Sequence, residues 1–205
     1  MDLHLFKKLF PLALLVSALL GCTLVQRLRQ EAQKSGKPTV LTSRDGRFQL
    51  TIPGGWRAET TLNERAGIQA ANRLAEMYVV VISESKEDFA EDTTLGDFTE
   101  LTRKNFISRV ESAEATPAIP VNVNVYMGMQ YEVQGTVNSY KIAYIVTTVE
   151  TPEHFHQILT WTLRSRIDKN QLTLQKVTES FREVVGARTQ TGSPAGPPPP
   201  ANVQH

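Results

Sequence analysis

Two runs of this chain are apolar on both sides of an extended backbone, and they restrict its fold more than any other feature. Met77-Tyr78-Val79-Val80-Val81-Ile82 is too short and too rich in β-branched residues to be a buried helix, and Tyr140 to Val149 is also apolar on both faces. A strand of that kind needs cover on both faces. The remaining pattern supplies partners and cover. Phe48, Leu50 and Ile52 alternate with Gln49 and Thr51, a half-buried strand closed by the turn Pro53-Gly54-Gly55. Trp56 follows, placed to plug the end of a core. Residues 67–71 form a weaker strand candidate, and the acidic stretch 83–92 reads as a surface loop.

Val121, Val123 and Val125 alternate with Asn122 and Asn124, and the chain is expected to stay extended past Gly128 to Val137. Asn138-Ser139 is a hairpin turn signal. Beyond Thr151-Pro152-Glu153, the residues Phe155, Leu159, Trp161 and Leu163 share one strand face, with Ile158 on the other. Two helices are expected. One runs over 94–112, capped by Thr93 or Thr94, with Leu95, Phe98, Leu101, Phe106 and Val110 as its apolar face. The other opens at Asp168 or Asn170, carries Leu174, Val177, Phe181 and Val184, and stops at Gly186. The expected fold class is α+β: a single antiparallel sheet with one helix on each face, an α/β/α sandwich.

The beginning of the chain has a different character. Lys7 and Lys8 precede an apolar run from Leu9 to Leu20, too short to span a bilayer, and Leu19-Leu20-Gly21-Cys22 closes it. This order resembles the leader of bacterial lipoprotein precursors. The resemblance implies cleavage between Gly21 and Cys22 and a diacylglycerol on the Cys22 thiol, the one covalent group expected; no other cofactor is. Leu20 departs from the usual Ala or Ser. Thr23 stands where inner-membrane retention would place Asp, which implies a periplasm-facing outer-membrane protein of the cell envelope. The expected organisation is a signal peptide over 1–21, a tether over 22–38, a domain over 39–185 and a Pro-rich tail over 186–205. As a flexible coil the tether would span on the order of 20 Å.

The whole chain has 22 Lys+Arg and 21 Asp+Glu, and loss of Lys7, Lys8 and Asp2 leaves 20 of each. Net neutrality gives no electrostatic case for nucleic acid or for steering to anionic lipid. With Cys22 lipidated no thiol remains, because the chain has 1 cysteine.

The folded part carries a second resemblance. Phe48-Gln-Leu-Thr-Ile-Pro-Gly-Gly-Trp56, Gly128-Met-Gln-Tyr131, the long hairpin through 140–149 into 155–161, and Ser180-Phe181 resemble the PsbP-like superfamily, to which DcrB-type lipoproteins belong. This implies an α/β/α sandwich serving as an accessory or binding module, with no shared active site to carry over.

Candidate chemistry is sparse. His154 and His156 lie two apart on one strand face and could chelate a metal, although no third ligand lies nearby; two rim histidines are the simpler reading. Met127 and Met129 could hold Cu(I), but packing is simpler. The acidic residues from Glu84 to Asp92 lack an EF-hand pattern. Arg164, Arg166 and Lys169 read as a basic surface cluster. No nucleophile elbow, zinc-protease helix or phosphate loop occurs in the sequence. The expected function is a non-catalytic binding lipoprotein acting through an envelope protein partner, docking at a strand edge or near Trp56. A ligand or metal carrier using His154 and His156 is the alternative, and a hydrolase with a dispersed site is a third reading.

Overall fold

The computed structural model describes residues 36–184. The expected leader, Cys22, most of the tether and the Pro-rich tail lie outside them. Strands β1 (Thr39–Thr42) and β2 (Phe48–Ile52) come first, then β3 (Arg57–Ala58), β4 (Ile68–Asn72) and β5 (Met77–Ser85). Helix α1 (Leu95–Ile107) follows, then β6 (Glu111–Ala115), β7 (Ile119–Val123), β8 (Tyr126–Val137), β9 (Tyr140–Glu150) and β10 (His154–Leu163). Helix α2 (Ile167–Glu179) and β11 (Arg182–Glu183) close the described chain.

The expectation of a single sheet with one helix on each face is overturned. The molecule is mostly β and has two sheets. An 8-stranded antiparallel sheet follows the order β3-β4-β5-β10-β9-β8-β6, with β7 also paired to β8. A separate 3-stranded sheet has the order β1-β2-β11. The small sheet was hidden because β1 is Thr-rich and largely exposed and β11 has 2 residues. Both pair with β2, so the Phe48–Ile52 strand belongs to this second sheet.

The second helix ends earlier than its stripe suggests, for a local reason. At its C-cap, the Ser180 hydroxyl donates to the Val177 carbonyl (2.7 Å) and accepts from the Thr51 N–H (2.9 Å). That clamps the chain onto β2, and Phe181 enters the core from extended chain. Gly186 lies outside the described residues.

Two apolar clusters result. Val79, Val81 and Ile158 of the large sheet meet Leu50 and Ile52 of the small sheet, with Leu174, Val177 and Phe181 between them. On the opposite face Val80, Ile82, Tyr131, Val133, Val146 and Leu159 form a second cluster, flanked by Leu62 and Phe106. Strand alternation divides β5 and β10 between these clusters, so the central strands are apolar on both faces.

Helix α1 begins with a capping box in which Thr94 and Asp97 satisfy each other's backbone N–H. Its buried residues are Phe98, Thr99 and Thr102, and Leu101, expected in the apolar face, is 49% exposed. The Thr99 hydroxyl meets that of Thr148 at 2.6 Å, so the helix is held by a polar contact which hydrophobic periodicity does not register. The chain leaves the helix at Ile107 and pairs β6 with β8, where the expectation had helix continuing. Glu111-Ser-Ala-Glu-Ala115 has reasonable helix propensity, but the open edge of β8 overrides it.

The expected run from Val121 to Val137 is broken. Asn124 takes a left-handed backbone (φ 55°), and β7 turns back on β8 with Val123 opposite Tyr126. Val125 sits at the tip, 81% exposed, because alternation alone cannot see the turn. Ser83, Glu84 and Ser85 extend β5 by pairing with β10, where a loop was expected.

Phe98 and Leu101 separate the two pictures of α1. Phe98→Ala is expected to cost about 3–5 kcal/mol, and Leu101→Ala no more than about 0.5 kcal/mol, in denaturant melts. Equal losses would restore the face expected from periodicity.

Candidate functional site

His154 and His156 project from one face of β10, as their spacing predicts, with ring centroids 5.8 Å apart. Their surroundings give both rings work already. The Ser83 hydroxyl lies 2.7 Å from His156 Nδ1, and the Thr151 hydroxyl 3.1 Å from Nε2. Phe48 and Phe181 close over the ring. Burial, with a smaller contribution from neighbouring His154, pushes His156 down to about 3. The residue is neutral in the fold, a hydrogen-bonded part of the first apolar cluster. His154 Nε2 lies 2.8 Å from the Arg47 guanidinium, a cation where a metal would have to sit. Among the described residues no group of three or more His, Cys, Asp or Glu side chains comes together.

Trp56 is 7% exposed and packs in the first cluster. Its indole N–H is buried without a hydrogen-bond acceptor among the described residues. Beside it opens a cavity of about 530 Å³, lined by Pro53, Gly54, Asn72, Met77 and Asn170, with Gly36 at the entry of the chain. Gly54 has a definite role here, because a Cβ on it would run into the backbone of Gly36. What Trp56 can offer a partner is the rim of this cavity, since its ring faces are packed. Met127, by contrast, is 72% exposed near the tip of the β7–β8 hairpin, and Met129 is half-buried.

A second concave surface was not foreseen. It lies on the second face of the large sheet, between α1 and residues 59–66, with a volume of about 390 Å³. Strand register builds its floor and the aromatic row beside it. Trp161 stands opposite Tyr78 on one side and opposite Tyr144 on the other. Tyr78 and Trp161 stack at 5.2 Å with an interplanar angle of 11°. Tyr144 lies 5.9 Å from Trp161, and Phe106 of α1 meets Tyr144 edge-on at 4.9 Å. Ile82 and Leu159 complete the apolar floor.

The rim is polar. The Arg65 guanidinium is paired with Glu84, which also accepts from the Gln157 amide at 3.4 Å. Asn63, Asn105 and Arg109 stand around the opening. The loop that forms one wall is fixed by Gln69, whose carbonyl oxygen accepts from the N–H groups of Leu62 and Asn63 at 2.8 and 3.0 Å. Half-buried aromatic rings ringed by hydrogen-bonding groups suit an apolar anchor side chain with a polar surround. The signal was in the sequence as Tyr78, Tyr144 and Trp161, but only the register makes them neighbours.

The neutral, buried His156 has a consequence for stability. The unfolded chain protonates it near pH 6.5, whereas the fold resists protonation down to about 3. Stability therefore falls as pH drops through that window, by roughly 1.4 kcal/mol per pH unit at most from this residue. Melts between pH 7 and 4 should show this slope, and His156→Gln should flatten it while lowering stability at pH 7. Trp56→Phe should be nearly neutral, because it removes an unpaired N–H, and Trp56→Ala should cost about 3–5 kcal/mol.

No protein-family model matches the sequence, and no curated protein sequence does. Solved structures do. The solution structure of cyanobacterial PsbP (CyanoP) from Synechocystis sp. PCC 6803 superposes with a TM-score of 0.54 at 15% identity, over 72% of this chain and 92% of that one. LpqN of Mycobacterium tuberculosis, a protein involved in cell envelope biogenesis, gives 0.54 at 12% identity, over 71% and 90%. A protein from Bacteroides thetaiotaomicron gives 0.52 at 8% identity, over 75% of this chain and 50% of its own. At these identities the likeness speaks to architecture, and the conclusion it supports is that residues 36–184 have a PsbP-like fold.

Proposed function

We propose that this chain is a non-catalytic accessory lipoprotein of the bacterial cell envelope, of the DcrB type, anchored through acylated Cys22 and acting through a protein partner. The observation that carries the binding role is the open groove between α1 and residues 59–66, with Phe106 and Tyr144 in its lining, Ile82 and Leu159 on its floor and a polar rim. The leader sequence supports the anchor, and Thr23 supports an outer-membrane position facing the periplasm. The PsbP-like fold supports an accessory role by analogy. One solved neighbour, LpqN, works in envelope biogenesis, and the proposal extends a role of that class to this protein. The partner would place an apolar side chain against Tyr144 and Phe106 and hydrogen-bond to the rim.

The rival reading is a ligand or metal carrier at His154 and His156, favoured by their shared face and opposed by the hydroxyl and guanidinium groups that already occupy their ring nitrogens.

Three measurements test these readings. Mass spectrometry of the mature amino terminus should find Cys22 carrying a diacylglycerol; an unmodified thiol removes the anchor. A photo-crosslinking residue at Leu101, on the rim, should capture an envelope protein, and Tyr144→Ala should abolish that capture. The same probe at Leu172 should capture nothing; equal capture from both positions rejects the groove. Stoichiometric metal binding lost on His156→Ala would favour the carrier.

A further inference from the structure

The register assigns each connection of the large sheet to one of its two ends. Met77 stands opposite Thr162 and Asn72, Leu163 opposite Ile142, and Val137 opposite Tyr140. The β4–β5 turn, the β8–β9 turn and the β10–α2 connection therefore emerge at the same end. The described chain also enters there, since Gly36 and Pro38 line the Trp56 cavity together with Met77 and Lys169.

Charge is segregated along this axis. Lys37, Arg57 and Lys169 surround the entry of the chain, and all three are exposed. Lys141 and Arg164 lie together across a hollow that they share with Tyr140 and Leu163. None of these five cations has a carboxylate partner among the described residues. The nearby carboxylates Glu59 and Glu76 are already paired with Arg73 (2.7 Å) and Arg166 (2.9 Å). Asp168, beside Lys169, and Glu111, opposite Thr136, are exposed and unpaired exceptions at this end. At the far end of the sheet Glu87, Asp88, Glu91, Asp92 and Glu153 are exposed, and none is in an ion pair among the described residues. Arg44 and Arg182 are exposed cations toward that end, yet the unpaired charges of the described residues are still biased, cations to one end of the sheet and carboxylates to the other.

The basic end also bears exposed apolar groups. Leu74, in the β4–β5 turn, is 72% exposed, and Tyr140, beside the β8–β9 turn, is 64% exposed. Neither packs into the clusters described above. A leucine and a tyrosine at turn tips, standing among lysines and arginines, are the groups that partition into a headgroup layer.

We propose that this end of the domain docks on an anionic phospholipid surface. Leu74 and Tyr140 enter the headgroup region, and Lys37, Arg57, Lys141, Arg164 and Lys169 lie over the phosphates. The attraction of each cation decays within about 10 Å of the surface, so their concentration at one end fixes an orientation. The acidic end is turned away, the sheet stands upright on the bilayer, and the aromatic groove on its flank stays open to a partner. The inference takes from the proposed function only that a bilayer lies within reach of the chain's entry.

Flotation with vesicles tests it, with the purified full chain and every variant carrying Cys22→Ser so that no acyl anchor contributes. Phosphatidylcholine vesicles are compared with vesicles that also contain phosphatidylglycerol. The wild type should prefer the anionic vesicles by about tenfold or more at low salt. The preference should vanish at about 1 M salt and in the variant Lys141→Glu/Arg164→Glu/Lys169→Glu, with folding checked by circular dichroism. Leu74→Ser/Tyr140→Ser, which keeps the charges, should lower anionic binding several-fold and leave its salt dependence intact. The same chain with Cys22 restored should also float with neutral vesicles through its anchor, and failure there would count against Cys22 acylation and not against the docking surface. Equal flotation of the wild type with both vesicles at low salt overturns the proposal. So does an anionic preference that survives charge reversal, or a serine variant that floats like the wild type. If charge reversal removes an envelope protein from a pull-down but leaves the vesicle preference unchanged, the surface binds protein and the proposal fails.

Discussion

The rest of the structure depends on the double pairing of β10. It is hydrogen-bonded to β5 on one side and β9 on the other along almost its whole length. Its consecutive residues Ile158 and Leu159 belong to different apolar clusters. A strand buried in this way cannot slip by one residue without moving every side chain to the wrong face. That constraint passes outward. It sets Trp161 against Tyr78 and Tyr144, His156 against Ser83, and Thr162 under Asn170 of α2, whose amide reaches its hydroxyl at 2.8 Å. The aromatic groove and the histidine's hydroxyl partners are thus two consequences of one register.

The two faces are covered differently, and the difference creates the candidate site. The first face receives both α2 and the small sheet, so its cluster is closed by Leu50, Ile52, Leu174 and Phe181. The second receives α1, a helix of 13 residues and so roughly 20 Å long, anchored over β8 and β9 by the Thr99–Thr148 contact. One such helix does not cover so wide a sheet. What remains over β5 and β10 is walled by residues 59–66 and stays open as the groove. Polar groups inside the domain are mostly accounted for: Asn170 donates to Ala75 and Thr162, and His156 lies between two hydroxyls. The indole N–H of Trp56, beside the cavity where the chain enters, and the buried Tyr131 hydroxyl are exceptions.

Much of the strand content was legible because its warrant is local. The alternation of Phe48, Leu50 and Ile52, the apolar runs at 77–82 and 140–149, and the Asn138-Ser139 turn, whose φ values of 47° and 69° are both left-handed, appear as expected. The errors share a cause. Val125 was read as a strand residue, 108–112 as helix, Leu101 as buried and Phe181 as helical. In each case a contact distant in sequence overrode a local preference: the fold-back onto β8, the β6–β8 pairing, the Thr99–Thr148 contact and the Ser180 clamp on Thr51. For the site, the shared face of His154 and His156 was visible from their spacing, but the hydroxyl and guanidinium partners that occupy them were not.

The sequence by itself determined that this chain contains a sheet with strands buried on both faces, because two-sided apolar runs admit no other economical burial, and it determined that positive and negative charges balance. Only the tertiary structure decided that there are two sheets, that three aromatic residues from three strands stand in one row, and that the unpaired charges of the described residues are biased toward opposite ends. The reason is physical. Burial periodicity is encoded within a few residues, whereas sheet membership, cross-strand neighbours and the direction of a charge distribution are set by pairing between segments far apart in the chain.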